Sequence, residues 1–162
     1  MPEILDVNSL LANQYEPKRQ YRWIIEINGI DAFTARTASR PKGSFGETVI
    51  DFINAKWFLA GKYTPDPIDI TFNDPIAPSA AQKVRDWINL CYEAETGRAG
   101  YASFYKKDIK LKLLDGPGAV VEQWTMKGAW LQNIDFGPLD YSVEDPVQIN
   151  CTMRYDRSFL EF

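Results

Sequence analysis

One stretch, Pro67 to Glu95, restricts the folds open to this 162-residue chain more than any other. Its first part alternates, with Ile68, Ile70 and Phe72 on one side and Asp69, Thr71 and Asn73 on the other. A period of two is the mark of a β-strand with one buried face. Asn73-Asp74-Pro75 and Pro78 then stop the strand, because proline lacks an amide donor and restricts the residue before it. Ser79 and Gln82 have the spacing of a capping box. Beyond them Val84, Trp87, Ile88 and Cys91 recur at helical spacing and form a single apolar stripe. The pattern predicts one main helix over about residues 79–95. No other segment carries a comparable helical period, so this helix is expected to flank an antiparallel β core. The fold class is α+β, mainly antiparallel β.

Strand patterns fill most of the remaining chain. Tyr21, Trp23, Ile25 and Ile27 oppose Arg22, Ile24 and Glu26, and Asn28-Gly29 predicts a hairpin into a weakly apolar strand over 31–39. Arg40-Pro41-Lys42-Gly43 is expected to break the pairing. Then Thr48, Ile50 and Phe52 face one way and Glu47, Val49 and Asp51 the other, with a turn or bulge at Asn54-Ala55 and a strand over 56–59. Residues 61–67 and 96–103 are expected to be loops. Ile109, Leu111 and Leu113 alternate with Lys110 and Lys112. From Val120 both sides of the next strand are mixed, and Gly128 marks a bulge or bend. The last strand is the cleanest: Val147, Ile149, Cys151, Met153 and Tyr155 against Gln148, Asn150, Thr152 and Arg154. Residues 1–20 lack such a pattern and are expected to form an N-terminal arm with Ile4, Leu5, Leu10 and Leu11, leaving 21–162 as a single β domain.

The side chains offer little chemistry. There is no histidine, which removes the usual general base and the commonest metal ligand. None of the serines sits in a nucleophile elbow, and the GSFG run at 43–46 lacks the ending of a phosphate loop. Asp66, Asp69 and Asp74 flank a strand and are read as solvated turn residues rather than a carboxylate pair. Asp135, Asp140, Glu144 and Asp145 crowd one loop but do not follow the spacing of a calcium loop. Lys106, Lys107, Lys110 and Lys112 are read as a solvated strand face. Cys91 and Cys151 lie on apolar faces and are read as small buried hydrophobes. The five tryptophans are not spaced as a stacking platform, so core or interface packing is expected. No catalytic, cofactor-binding or metal residues are assigned. A net charge of −4 gives no electrostatic footprint for nucleic acid. The opening MPEILDVNSLL lacks a basic start and a long apolar run, so synthesis and first folding in the cytoplasm are expected, with no stable membrane association.

Several strands carry uncharged or semi-apolar residues on both faces, over 31–39 and 120–130, which suits sheets partly covered by another copy. In this setting four segments resemble, in order, the tail tube proteins of T4-like contractile-tailed bacteriophages. QYRWIIEINGIDAFTARTASRP is similar to the first hairpin of that family, and INAKWFLAGKYTPDPIDITFNDP to its central segment. The helix bearing Val84 and Trp87 is similar to its single helix, and MKGAWLQNIDFGPLDYSVEDPVQINCTMRYD to its closing segment. Gln132 stands where the family commonly has proline.

The resemblance implies a β-sandwich or barrel-like subunit, hexameric rings stacked into a tube, and four strands per subunit in an inner barrel. Partners would be further copies, a contractile sheath protein, and baseplate and tail-terminator proteins. Double-stranded DNA would transit the lumen without specific binding, in a virion tail assembled in the host bacterial cytoplasm. Related tubes of phage-derived injection systems share the pattern. On this basis the strands over 47–58 and the region 143–155 are candidates for the inner barrel, with Glu47 and Asp51 as possible lumen residues. The loop over 40–47, with Gly46, is expected to supply stacking contacts. Lys83, Arg85, Asp86 and Glu93 on the helix side are candidates to face the sheath. A ring adaptor or baseplate component is the alternative binding role. A small hydrolase would need carboxylates and tyrosines to converge.

Overall fold

The computed structural model describes residue 6 and residues 15–162. The expected arm over 1–20 therefore lies largely outside the described residues. Seven strands form one sheet, antiparallel in all its pairings among the described residues, that doubles over so that its two halves share a core. The strands are β1 (Trp23–Glu26), β2 (Ala35–Ala38), β5 (Ile68–Asn73), β8 (Lys107–Leu114), β9 (Val120–Asp135), β10 (Gln148–Arg154) and β11 (Arg157–Leu160). Their order is β1-β8-β9-β10-β5-β2, with β11 also paired to β9.

The pivot is β9, the longest strand at 16 residues. Its first part pairs with β8 and β11 and its last part with β10. The turn between these regimes falls at Gly128, whose φ of +67° is open to glycine at little cost. A Cβ there would lie 2.3 Å from Asp156 Oδ2. The bend foreseen at Gly128 is thus where the strand passes from one half of the sheet to the other.

The core is assembled from the alternating positions of these strands. Ile25, Ile109, Leu111 and Met126 meet Ile68, Ile70, Phe72, Ile149, Cys151 and Met153 in one buried cluster. Burying side chains of this size is worth roughly 1.5–3 kcal/mol each before entropy is counted. Helix α1 (Ala80–Cys91) adds Ala80, Val84 and Trp87 to the same cluster. Its first turn is capped twice: Ser79 Oγ accepts from Gln82 N at 3.3 Å, and Asp74 Oδ1 accepts from Ala81 N at 3.2 Å. Trp87 Nε1 donates to Tyr105 O at 2.7 Å, tying α1 to the short helix α2 (Ala102–Tyr105). The helix ends earlier than residue 95 because Tyr92–Glu93 (β6) pairs with Arg98–Ala99 (β7). Part of the expected 96–103 loop is therefore ordered as a small hairpin and a helical turn.

Three further expectations change. The turn at Asn28-Gly29 closes only the bridge Ile27–Ile30. Then β2 leaves β1 and pairs with β5, because that half of the sheet is where its small residues Ala35 and Ala38 pack on the core. Residues 42–47 and 61–66, expected as a break and a loop, are strand. They belong to β3 (Lys42–Phe52) and β4 (Ala55–Asp66), strands of 11 and 12 residues that pair only with each other. Glycines let the two backbones approach: a Cβ on Gly61 would come within 2.9 Å of Gly46 C. At Gly46 itself a Cβ would meet only ordinary contacts of 3.7 Å or more, so the tight position is Gly61.

Candidate assembly interface

The β3–β4 hairpin sets this chain apart from a self-contained β protein. Every residue of β3 is exposed. Its register pairs Thr48 with Leu59, Ile50 with Trp57, and Phe52 with Ala55. Paired residues share a face, so one face is wholly uncharged and mostly apolar. The opposite face pairs Glu47 with Ala60, Val49 with Phe58 and Asp51 with Lys56, and so mixes charge with apolar groups. Trp57 is 67% exposed and Phe52 70%. An apolar sheet surface of this kind in a lone chain marks a contact site. The tip residue Ile53 has φ of +53° and is 86% exposed, a conformation that a β-branched residue adopts only at a cost.

Two anchors fix the root of this hairpin to the body. Tyr155, just beyond β10 and buried, accepts from Lys42 N at 3.3 Å and donates to Lys42 O at 3.0 Å. Burial pushes its phenol above the ordinary value. The second anchor is Glu122 on β9, only 3% exposed. Its carboxylate accepts from Arg40 Nη1 at 3.2 Å, from Lys18 Nζ and from Trp124 Nε1. Burial pushes the Glu122 carboxyl up, but the hydrogen bonds from Lys18, Trp124 and Arg40 and the charge of Lys18 outweigh it and hold it below its ordinary value. Neither anchor was identified in the sequence. The sequence signal for Glu122 is the mixed facing after Val120; Tyr155 reads only as the last residue of an apolar alternation.

The charged groups singled out in the sequence serve local structure. Asp69 Oδ1 accepts from Thr152 Oγ1 at 2.9 Å and Asp74 caps α1, while Asp66 ends β4. Asp135 and Asp140 accept from Gly137 N and Ser142 N, both at 2.9 Å, within their own loop. No group of three or more His, Cys, Asp or Glu among the described residues is placed to hold a metal ion. Lys106 pairs with Asp156 at 2.9 Å and Lys112 with Glu26 at 2.8 Å, and Lys107 donates to Asn28 O at 2.7 Å. Three lysines of the run are thus tied to neighbours, while Lys110 is exposed. Lys83 is held by Asp31, whereas Arg85, Asp86 and Glu93 are exposed. Cys151 is buried, with its thiol pushed up to about 12 by burial, and Cys91 is half-buried.

No family model matches the chain. In sequence it is similar to the tail tube protein of Serratia phage KSP90, 28% identical over 152 residues and covering 85% of each chain. In structure it is similar to the sheath/tube terminator of the extracellular contractile injection system PVC in the extended state. The TM-score is 0.74 at 18% identity, over 93% of this chain and 100% of that one. The tube-terminating cap of the anti-feeding prophage gives 0.76 at 19% identity, over 92% and 93% of the two chains. A chain of the PVC sheath-tube complex gives 0.72 at 19% identity, over 97% and 99%. At these identities the structural likeness establishes the fold alone. The chain is thus related to a phage tail tube protein and shares one subunit fold with tube components of contractile injection systems.

Proposed function

We propose that this chain is the repeating subunit of the inner tube of a contractile phage tail, closing into hexameric rings that stack around a lumen. The observation that carries this reading is the β3–β4 hairpin, which offers an apolar face formed by Ile50, Phe52, Trp57 and Leu59 to another copy. Two sheet edges support it: among the described residues β1 pairs only with β8, and β2 only with β5. Ring closure covers such edges, which a monomer would have to protect. Similarity to a phage tail tube protein supports the same role.

The outward face of β5, β10 and the end of β9 suits a channel wall. Its cross-strand rows are Asp69–Thr152–Asn133 and Thr71–Asn150–Asp135, short polar side chains, with Arg154 at the end of β10 and Arg36 at the edge as the cations beside them. Along these rows a phosphate backbone meets carboxylates and neutral groups, so DNA would slide there without sticking. In this reading the sheath surrounds the tube, baseplate and terminator rings bound it, and Arg85, Asp86 and Glu93 face the sheath. The arm over 1–20 contributes to stacking and 21–162 forms the ring domain. Assembly takes place in the host bacterial cytoplasm and the product resides in the virion tail. The role is mechanical and requires no catalysis.

A second reading is a terminating or baseplate ring, or the tube of a phage-derived injection system. It is favoured by the likeness in fold to a tube terminator and a tube-terminating cap. Negative-stain imaging of the purified chain separates a tube subunit from a terminal ring, since a repeating subunit gives long hollow filaments and a terminal ring gives single rings. Trp57→Glu should abolish either assembly while leaving the circular dichroism spectrum of the monomer unchanged. Filaments from that variant would overturn the hairpin's role.

A further inference from the structure

A cleft of about 470 Å³ opens between β1 and β2, the two end strands of the sheet path among the described residues. Its apolar lining includes Trp23, Ala38, Leu111 and Leu113, and its basic residues are Lys18, Arg19, Arg36 and Arg40. Glu122 already takes Lys18 and Arg40, and Arg19 reaches Glu16 at 3.9 Å. Arg36 is different. It lines this cleft and the two beside it, and no carboxylate among the described residues lies within ion-pair distance of it.

The chain also carries the matching counterpart. Residues 136–147 have no helix or strand and project Leu139 (86% exposed), Tyr141 and Val143 between Asp140, Glu144 and Asp145. Asp145, at the base of this loop, lines a cleft with Arg36 in its own chain without pairing to it. The tip at Leu139–Tyr141 extends into solvent and does not cover its own cleft.

We propose that the basic, apolar-floored cleft between β1 and β2 receives the acidic, apolar loop 136–147 of a second copy of this chain. The inference rests on the tube reading and names a contact within it. Opposite charges fix register and partner, the Leu139 and Tyr141 side chains supply buried area, and the edges of β1 and β2 left unpaired among the described residues offer backbone groups to an extended segment. Repetition along a tube multiplies a modest contact.

The test uses two full-length chains made separately, one Arg36→Cys and one Tyr141→Cys, distinguished by a size tag. Mixed under assembling conditions and oxidised, they should give a covalent heterodimer. Arg36→Glu and Asp140→Arg should each lower the assembled fraction by about tenfold at low salt, and the two together should restore it. Assemblies that form normally without the heterodimer would overturn the proposal and leave the tube reading standing. So would an Arg36→Glu variant that assembles fully but loses retention of a DNA oligonucleotide, which would assign the cleft to a phosphate backbone. A wild-type chain that forms neither rings nor filaments overturns both readings.

Discussion

Tyr155 grips the backbone of Lys42 from both sides, accepting from its amide at 3.3 Å and donating to its carbonyl at 3.0 Å. The residues are 113 positions apart in sequence, so one phenol joins the end of the core sheet to the start of the hairpin. The hairpin leaves the body at an angle set by this contact and by Glu122.

Tyr155→Phe should therefore do two separable things. Loss of the paired hydrogen bonds should cost about 1–2 kcal/mol in urea unfolding, and assembly should fall further because the hairpin root is no longer fixed. A variant that loses stability yet assembles as fast as wild type, followed by light scattering, would remove Tyr155 from any role in aiming the hairpin.

Glu122 links the segment before β1, through Lys18, to the approach to β3, through Arg40. Its folded pKa lies below its ordinary value. The stabilisation is therefore fully present above the unfolded value near 4.3, and is lost as pH falls through the lower folded value. Glu122→Gln should cost about 1–2 kcal/mol near neutrality, moderated because Lys18 and Arg40 are half-exposed. The gap between the two proteins should narrow as urea unfolding is repeated from pH 6 to pH 3. A constant gap would mean that the carboxylate's charge does not matter.

At the hairpin tip, Ile53 occupies a left-handed backbone conformation while 86% exposed. Ile53→Gly should relieve about 1 kcal/mol of local strain and increase amide protection of β3 and β4 in the monomer. Assembly should nonetheless weaken, because the sec-butyl side chain at the tip is then missing from the contact. Equal or better assembly would show that the side chain has no partner.

Ser79 and Asp74 cap neighbouring amides of α1. Ser79→Ala should cost about 1 kcal/mol. Asp74→Asn, which keeps an acceptor, should cost less than Asp74→Ala. Thermal unfolding measures all three, and a neutral Asp74→Ala would mean that water replaces the cap.

Gly128→Ala should be the most damaging small substitution in the core sheet. The left-handed conformation costs a side chain about 1–2 kcal/mol, and the added carbon would press on Asp156. Loss of β9–β11 pairing should follow, visible as lost amide protection from Arg157 to Leu160. Unchanged protection there would place the bend elsewhere.

The strand-helix unit and the final strand were legible because burial and periodicity agree in them. Ile68, Ile70 and Phe72, Val84 and Trp87, and Ile149, Cys151 and Met153 are all in the core. The hairpin's root, residues 42–47 and 61–66, is not legible, because Gly43, Gly46, Gly61 and Pro65 carry loop chemistry. A two-stranded ribbon standing clear of the body needs no buried face to hold its register, so it leaves no burial pattern to read. The partner of β2 was hidden for another reason: the strong turn at Asn28-Gly29 speaks only for the next few residues, whereas pairing with β5 is decided by the distant core. Glu122 was concealed by its neighbours, since a carboxylate on a mixed strand looks solvent-facing until Lys18 and Arg40 arrive from elsewhere in the chain.

The shared strand β9 has a mechanical consequence. Because its 16 residues run through both halves of the sheet, force that separates the halves must stretch a covalent chain or shear whole ladders rather than peel side chains apart one at a time. A subunit driven through an envelope by a shortening sleeve would meet its load along that line. Stiffness of this kind comes from connectivity, and it would persist even where packing is loosened.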